Sequence, residues 1–505
     1  MSLSKNAISL LKQRYCHPGE QPKDVYKRVS TALSLGDSTF QKKLYKAMVD
    51  SMFLPNSPCI RNAGQQKALL HACFILPIED TTESIFETLK NMALIFHHGG
   101  GVGINFSKLR TKDAPLTSGG TSSGVLSFME VFDSTTNAVK QGGFRRGALM
   151  GILNFEHAEI MDFIRSKLKD KLTNFNISIL MSDKHMEKVE KGENIDLVNP
   201  QNNEVWNTVN AKDLFDLICF SAWNSGDPGM LFYDRINKDN KFFPKIKINC
   251  TNPCGEVPLP DYGACCLGSI NLSKFVKGNQ FNFKGFAKHV ELATRALLNM
   301  NAISWYPLTQ ITKTMKELNP IGVGVMGFAD TLIKLGINYD SEDALKFIDE
   351  LAKPYIEVSD KLAPNSFYRR IIAPTGSLSL LADCSSSIEP IFDTTFERHL
   401  TVGVMEETRD LYKSKYVRTA HDVSPEWHLK IQAKWQEKLD GACSKTINLP
   451  NNASVDDVKN IYMNAWKAGV KGITIFRDGS KTGVWKKTAK HDKPKPKCSD
   501  ENCHL

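Results

Sequence analysis

Lys471-Gly472-Ile473-Thr474-Ile475-Phe476-Arg477-Asp478-Gly479 follows a stretch, Val455–Ala468, whose apolar residues recur at helical spacing. A helix followed at once by a short apolar run, Gly472–Phe476, is one unit of an alternating α/β chain. Working outward, Gly147–Leu153, Asn176–Leu180, Gly322–Met326 and Arg370–Ala373 are further runs of this kind. Between them Asp213–Trp223, Phe286–Asn301 and Ser341–Leu351 read as helices. Such alternation over several hundred residues predicts an α/β fold with mainly parallel strands, and leaves open whether the sheet closes. The first ~50 residues differ: Val25–Leu33 and Thr39–Phe53 predict helices only. Thr81–Phe96 predicts a helix that runs into the glycine turn His98-Gly99-Gly100-Gly101-Val102-Gly103. No internal repeat is visible.

At 505 residues, 41% hydrophobic and 24% charged, the chain has the composition of a folded globular protein rather than a disordered one. No apolar run reaches the ~18–20 residues of a bilayer span, and Met1–Lys12 has no signal core, so a cytoplasmic location without membrane attachment is expected. Net charge is +9, of which Lys481–Leu505, with seven Lys against three acids, supplies +4. The remainder is too mild to argue for nucleic acid as a partner. Lys486–Lys497 is Lys/Pro-rich and predicts an extended linker of at most ~40 Å at ~3.3 Å per residue. Beyond it lie Cys498 and Cys503.

Twelve cysteines in a cytosolic chain favour thiol chemistry or metal over structural disulfides. No CxxC and no zinc-finger spacing occurs, so no metal ligand set is expected. Asn252-Pro253-Cys254-Gly255-Glu256 reads as a tight loop. Alternate residues of an extended segment share a side, which would let Asn252, Cys254 and Glu256 converge on one ligand. Taken alone, the favoured reading of this loop is a polar turn with a buried cysteine. Pro374-Thr375-Gly376-Ser377-Leu378 offers amides and two hydroxyls at a predicted helix start. That composition suits a phosphate cradle without lysine, or simply a capped helix.

These segments occur with others in one order: Pro55-Asn56-Ser57-Pro58, Asn62-Ala63-Gly64, Ala72-Cys73-Phe74, Gly101-Val102-Gly103-Ile104-Asn105, Arg145-Arg146-Gly147-Ala148, Asn174-Phe175-Asn176-Ile177-Ser178, Cys265-Cys266-Leu267-Gly268-Ser269-Ile270-Asn271-Leu272 and Ala373-Pro374-Thr375-Gly376-Ser377. Over essentially its whole length the chain resembles the catalytic subunits of ribonucleotide reductases. The resemblance implies a ten-stranded α/β barrel over 56–480, an N-terminal helical region over 1–55, and a flexible tail over 481–505. It implies that Cys254 becomes the thiyl radical, that Glu256 is the general base and Asn252 holds the ribose hydroxyls. Cys73 and Cys265 would supply the two electrons, with Cys266 a bystander, and Cys498 and Cys503 would exchange thiols with the buried disulfide. A zinc-binding or vestigial tail is the alternative for that last pair.

The resemblance also places substrate at Cys59, Ala72, Gly101, Pro374, Thr375, Gly376, Ser377 and Leu378. Cys59 stands where relatives usually carry Thr, and Cys384 and Ser387 replace the more usual Thr and Gly. A deoxynucleoside triphosphate effector is expected at Asp80 and Arg110, in a homodimer. For Arg110 a plain surface charge is an equal reading. Lys169–Asn176 matches the loop that relays effector identity.

Relatives differ in radical source. The chain contains no Tyr-Tyr pair and no Arg-Val-x-Gly-Tyr loop, while Gly472–Gly479 matches members that use adenosylcobalamin. The resemblance therefore implies adenosylcobalamin as cofactor and reduction of ribonucleotides, as diphosphates, with electrons from a thioredoxin- or glutaredoxin-like protein. No Asp-x-His-x-x-Gly is present, and His97 and His98 are read as structural. One alternative is a large subunit served by a separate metal-containing subunit; another is a nucleotide-binding regulator that has lost catalysis. The additional N-terminal ATP-binding domain of some relatives has no counterpart, so specificity control without an on/off switch is expected.

Overall fold

The computed structural model describes residues 3–117, 119–139, 147–169, 171–400, 403–480 and 485–487. Its centre is a ten-stranded sheet. In chain order the strands are β1 (Phe53–Pro55), β2 (Cys73–Ile75), β3 (Gly101–Asn105), β4 (Leu149–Asn154), β5 (Phe175–Met181), β6 (Gly229–Phe232), β7 (Ala264–Asn271), β8 (Ile321–Met326), β9 (Thr446–Leu449) and β10 (Gly472–Arg477). β2 to β6 pair in sequence, each parallel to the next. β7 with β8, and β9 with β10, are parallel as well. The two runs meet antiparallel at β2/β7 and β6/β10, and β1 lies antiparallel on β7.

Closure comes from Arg369–Ile372. Val323 N–H donates to Arg369 O at 2.8 Å and Ile371 N–H to Val323 O at 3.2 Å on one side. Ile372 N–H to Ala442 O at 3.2 Å and Ser444 N–H to Ile372 O at 2.9 Å bind the other side, next to β9. The sheet is therefore a barrel, as the resemblance implied. The predicted strand Arg370–Ala373 appears as isolated bridges rather than a ladder, because Pro374 has no N–H with which to extend it.

Helices cover the barrel: Thr82–His97, Val125–Ala138, Ala211–Ser225, Phe283–Ile303, Glu342–Leu362 and Val455–Lys467. All but Val125–Ala138, which periodicity did not single out, match predicted helices, and two predicted boundaries shift by more than three residues. The helix predicted over Thr39–Phe53 spans Ser38–Val49, because Ser51 adopts φ +56° and Phe53 turns into β1. The helix predicted to end at Leu351 continues through Pro354 to Leu362, its apolar face (Phe347, Ile348, Leu351, Tyr355) buried in the core. That burial outweighs the one backbone bond that proline removes.

N-terminal helices Pro22–Ser34 and Ser38–Val49 pack on the β7/β8 side, sharing a core with Phe286, Leu297 and Tyr355. Lys486 and Lys487, at the head of the predicted linker, pair as the short strand Trp485–Lys487 with Phe396–Arg398. Among the described residues no helix is long and apolar enough to cross a membrane.

Candidate active site

Two cysteines far apart in sequence meet through strand register. Cys73 opens β2, Cys265 stands second in β7, and the antiparallel pairing sets them directly opposite. Directly opposed Cα atoms lie ~4.5–5.5 Å apart, within the range a disulfide spans. Both are free thiols and buried. Burial above all, and then neighbouring Cys266, Cys73 and Glu256, push the Cys265 thiol well above its ordinary range.

The loop carrying Cys254 threads the barrel and is touched from several sides. At β3 the approach is so close that a Cβ on Gly103 would sit 1.9 Å from Thr251 O, and one on Gly101 would press Pro253 Cγ at 3.2 Å. Glycine is required at 103, since no side-chain atom fits there. Asn105 Nδ2 donates to Asn249 O and Asn176 Nδ2 to Pro253 O, each at 2.8 Å. On the far side Ala442 N–H donates to Glu256 O at 3.0 Å.

Within the loop, Gly255 N–H bonds Asn252 O at 3.0 Å and Gly255 takes φ +82°. This turn breaks the alternation on which convergence of Asn252, Cys254 and Glu256 was argued. Cys254 is exposed at the tip, whereas Asn252 and Glu256 are buried. Asn252 Nδ2 donates to Cys73 Sγ at 3.1 Å, and its Oδ1 accepts from Val257 N–H at 2.9 Å. The amide thus links the Cys254 loop to the Cys73–Cys265 pair.

Cys254 faces a cavity of about 320 Å³ whose wall includes Met150, Pro374, Lys445, Ile473 and Phe476. Of the predicted phosphate loop, Pro374 reaches this wall. Thr375 sits in the left-handed region at φ +58°, and its Oγ1 accepts from Ser387 N–H at 2.7 Å. Helix Gly376–Ala382 follows, so the predicted helix start is present. Ser387, one of the departures, therefore props the loop through its backbone. Cys384 and Cys59 are fully buried in the core cluster to which Leu378 also belongs, and neither lines the cavity. Ala72 O accepts from Gly101 N–H at 2.7 Å, just before Cys73.

Sequence reasoning missed Lys445. It lies within the cavity wall with a fully buried side chain, bonded to Glu389 at 2.5 Å and to His428 Nδ1 at 2.9 Å. The signal, Glu389 in Ser387-Ile388-Glu389-Pro390, was in view, but nothing in the sequence pairs it with a lysine 56 positions on.

Asp80 and Arg110 are together as expected, but on each other: Arg110 Nε reaches Asp80 Oδ2 at 2.7 Å and Arg110 N–H reaches Oδ1 at 3.1 Å. A larger cavity, about 430 Å³, opens elsewhere beside Asn105, Lys108, Glu156, His185 and Asp261; Cys254 and Pro374 are not part of it. Among the described residues no group of three or more His, Cys, Asp or Glu is placed to hold a metal. Cys498, Cys503 and Arg145-Arg146 lie outside the described residues.

Residues 1–68 match the family model "Ribonucleotide reductase, all-alpha domain", and 71–358 with 402–476 match "Ribonucleotide reductase, barrel domain". The vitamin B12-dependent ribonucleoside-diphosphate reductase of Thermoplasma acidophilum is 40% identical over 491 residues, covering 85% of this chain and 64% of that protein. This chain thus spans just under two thirds of that relative's length. The protein of the same name from Mycobacterium tuberculosis H37Rv is 34% identical over 556 residues, covering 96% of this chain and 79% of its own. The vitamin B12-dependent ribonucleotide reductase of Streptomyces coelicolor is 29% identical, over 88% of this chain and 60% of its own. With the two domain models matched in order over most of the chain, and the barrel of the second closed around the Cys254 loop, this chain belongs to the ribonucleotide reductase family.

Proposed function

We propose that the chain reduces ribonucleotides to 2′-deoxyribonucleotides through a thiyl radical on Cys254, with adenosylcobalamin as radical source. The observation that carries this reading is one linked set: opposed Cys73 and Cys265, Asn252 bonded to Cys73, and an exposed Cys254 beside a cavity. The relatives' names support the cofactor. The site fits it, since the wall facing Cys254 includes β10 with apolar Ile473, Ile475 and Phe476 and no tyrosine. These residues, with Gly229–Leu231 of the neighbouring strand β6, would hold the adenosyl group. When bound, the cofactor would supply the radical chemistry by which the Cys254 thiol loses its hydrogen.

The rest is the work of this chain's side chains. The Cys254 sulfur takes the ribose 3′-hydrogen. Glu256 accepts the 3′-hydroxyl proton, as a buried carboxylate suits a general base, and Asn252 orients the hydroxyls. The 2′-hydroxyl leaves as water. Cys73 and Cys265 each give up a hydrogen and join as a disulfide, and the 3′-hydrogen returns from Cys254. Per turnover one C–O bond becomes C–H, two thiols become one disulfide, and one water is formed. Cys498 and Cys503, carried by the tail, then exchange with that disulfide through a mixed disulfide and are re-reduced by a thioredoxin-like dithiol.

Specificity control is proposed at Asp80 and Arg110, where a deoxynucleoside triphosphate would replace their mutual ion pair. Phe86, Leu94 and Val131 are exposed on the neighbouring helices Thr82–His97 and Val125–Ala138, a surface that suits a second copy of the chain. The relay is residues 169–176. Asn174 bonds Asp133 and Asn137 on helix Val125–Ala138, and Asn176 bonds Pro253 beside Cys254.

The test is deoxyribonucleotide formation from each of four ribonucleoside diphosphates, with and without adenosylcobalamin, using a small dithiol. Product is expected with the cofactor alone and none from Cys254→Ala. Turnover that requires a metal-containing second subunit would remove the cofactor assignment.

A further inference from the structure

The loop Pro374–Leu378 carries no charged side chain, yet a nucleoside diphosphate brings about three negative charges to it at neutral pH. Lys445, a cation on the cavity wall, is engaged by Glu389 and His428. The cation that meets the loop comes from the other end of the chain. Arg14 Nη1 donates to Ser377 Oγ at 3.3 Å across 363 residues.

The local fold holds Arg14 in that place. Helix Lys5–Leu10 packs on helix Gly376–Ala382 and then loosens into a single π-turn, Leu11–Tyr15. Cys16 N–H bonds Leu11 O at 2.8 Å. One π-turn shifts the following side chains around the helix axis, and such turns recur at functional sites. Leu10 and Leu11 are fully buried, as is nearly all of Tyr15. Tyr15 Oη bonds Ser57 Oγ at 2.9 Å, and Arg61 Nη1 holds Cys16 O at 2.9 Å. Arg14 therefore projects from an anchored turn rather than from a loose terminus.

We propose that Arg14 is a specificity residue that binds the terminal phosphate of a nucleoside diphosphate seated on Pro374–Leu378. This rests on reading that loop as the phosphate site. An oxyanion bonded to the Ser377 hydroxyl at about 2.7 Å would lie within one hydrogen-bond length of the atom that Arg14 already touches. A guanidinium matches two phosphate oxygens at once, where a lysine offers one point charge. The N-terminal helical region would then be part of the substrate site, adding a cation to a loop that carries none of its own.

The experiment compares wild type, Arg14→Gln and Arg14→Lys of the full chain, with CDP and CMP as substrates under adenosylcobalamin and dithiol. Arg14→Gln should raise KM for CDP at least tenfold, with kcat/KM falling further than kcat. The preference for CDP over CMP in kcat/KM should shrink by a similar factor. Arg14→Lys should recover part of it. A structural role alone would lower both substrates equally, and a CDP-over-CMP preference equal to wild type in Arg14→Gln overturns the proposal. Should Arg14→Gln fold poorly, Ser377→Ala reads the same contact from the loop side: a smaller loss in the Arg14→Lys background than in wild type supports the contact, and additive losses overturn it. A wild-type chain that reduces no ribonucleotide would overturn the underlying reading together with this one, an outcome distinct from an active enzyme indifferent to Arg14.

Discussion

The two halves of the barrel are built differently. β2 to β6 form an unbroken parallel run held by backbone ladders. The other half has a gap between β8 and β9, bridged by Arg369–Ile372 through isolated backbone bonds on either side, and there side-chain charge supplements what a full ladder does elsewhere. Asp440 accepts from the backbone N–H of Arg369 at 3.0 Å and of Arg370 at 2.8 Å, and its carboxylate faces both guanidinium groups at 3.0 and 3.5 Å. The regular half contributes β3, which lets the Cys254 loop in through its glycines, and β2, which offers Cys73 to the seam. The ionic half contributes the ring closure that leads straight into Pro374–Leu378. A close-packed half fixes where the Cys254 loop sits; the half whose closure charge reinforces carries the proposed phosphate loop.

The largest effect should come from breaking the charge closure. Asp440→Ala leaves two arginines, with side chains no more than 9% exposed, only the half-exposed Asp360 as carboxylate partner. Removal of one partner of a buried pair costs about 3–5 kcal/mol, and Asp360 offsets part of that. Urea unfolding should show a midpoint lowered accordingly; a shift of a few tenths would mean that backbone bonds alone close the ring. Next, Gly103→Val puts a side chain where Thr251 O already sits. Displacing a reacting group by about 1 Å costs on the order of 100-fold in rate. Deoxyribonucleotide formation should fall that far with far-UV circular dichroism unchanged, and near-normal activity would show that the loop tolerates movement.

A buried carboxyl in the regular half gives a smaller, pH-dependent effect. Glu159 Oε2 accepts from Val125 N–H at 2.6 Å, and burial chiefly raises its pKa to about 7. Its folded pKa exceeds the unfolded value, so the folded state binds the extra proton between about pH 4.5 and 7. Stability from this group is full below pH 4.5 and is lost as pH rises through 7. Glu159→Gln should flatten that slope, worth no more than about 2 kcal/mol after screening, in melts across pH 4.5–7.5. An unchanged slope would place the proton elsewhere. Smallest of all, Asn176→Ala removes one neutral bond to Pro253 O, worth about 1 kcal/mol. It should lower turnover up to about tenfold and weaken the effect of an added deoxynucleoside triphosphate on base preference. Full retention of that effect would cut residues 169–176 out of the relay.

What the sequence by itself determined is the content of local period and of segment chemistry. Helix and strand alternate by hydrophobic spacing, so the α/β class and most element positions were legible from residues such as Val455–Phe476. The glycines at 101 and 103 and the loop at 252–256 stood out because turns need particular residues. The tertiary structure alone decided which distant residues meet. Register across β2 and β7 opposes Cys73 and Cys265, and a one-residue slip would point the side chains to opposite faces. A turn at Gly255 sends Asn252 inward and leaves Cys254 at the tip, against the alternation expected of an extended segment. Lys445 with Glu389, Asp440 with Arg369 and Arg370, and Arg14 with Ser377 are pairings of charge and hydrogen bond that leave no periodic trace. Hydrophobic periodicity records which face of an element is buried; only the closed barrel sets which buried or anchored polar groups come within 3 Å or so of one another.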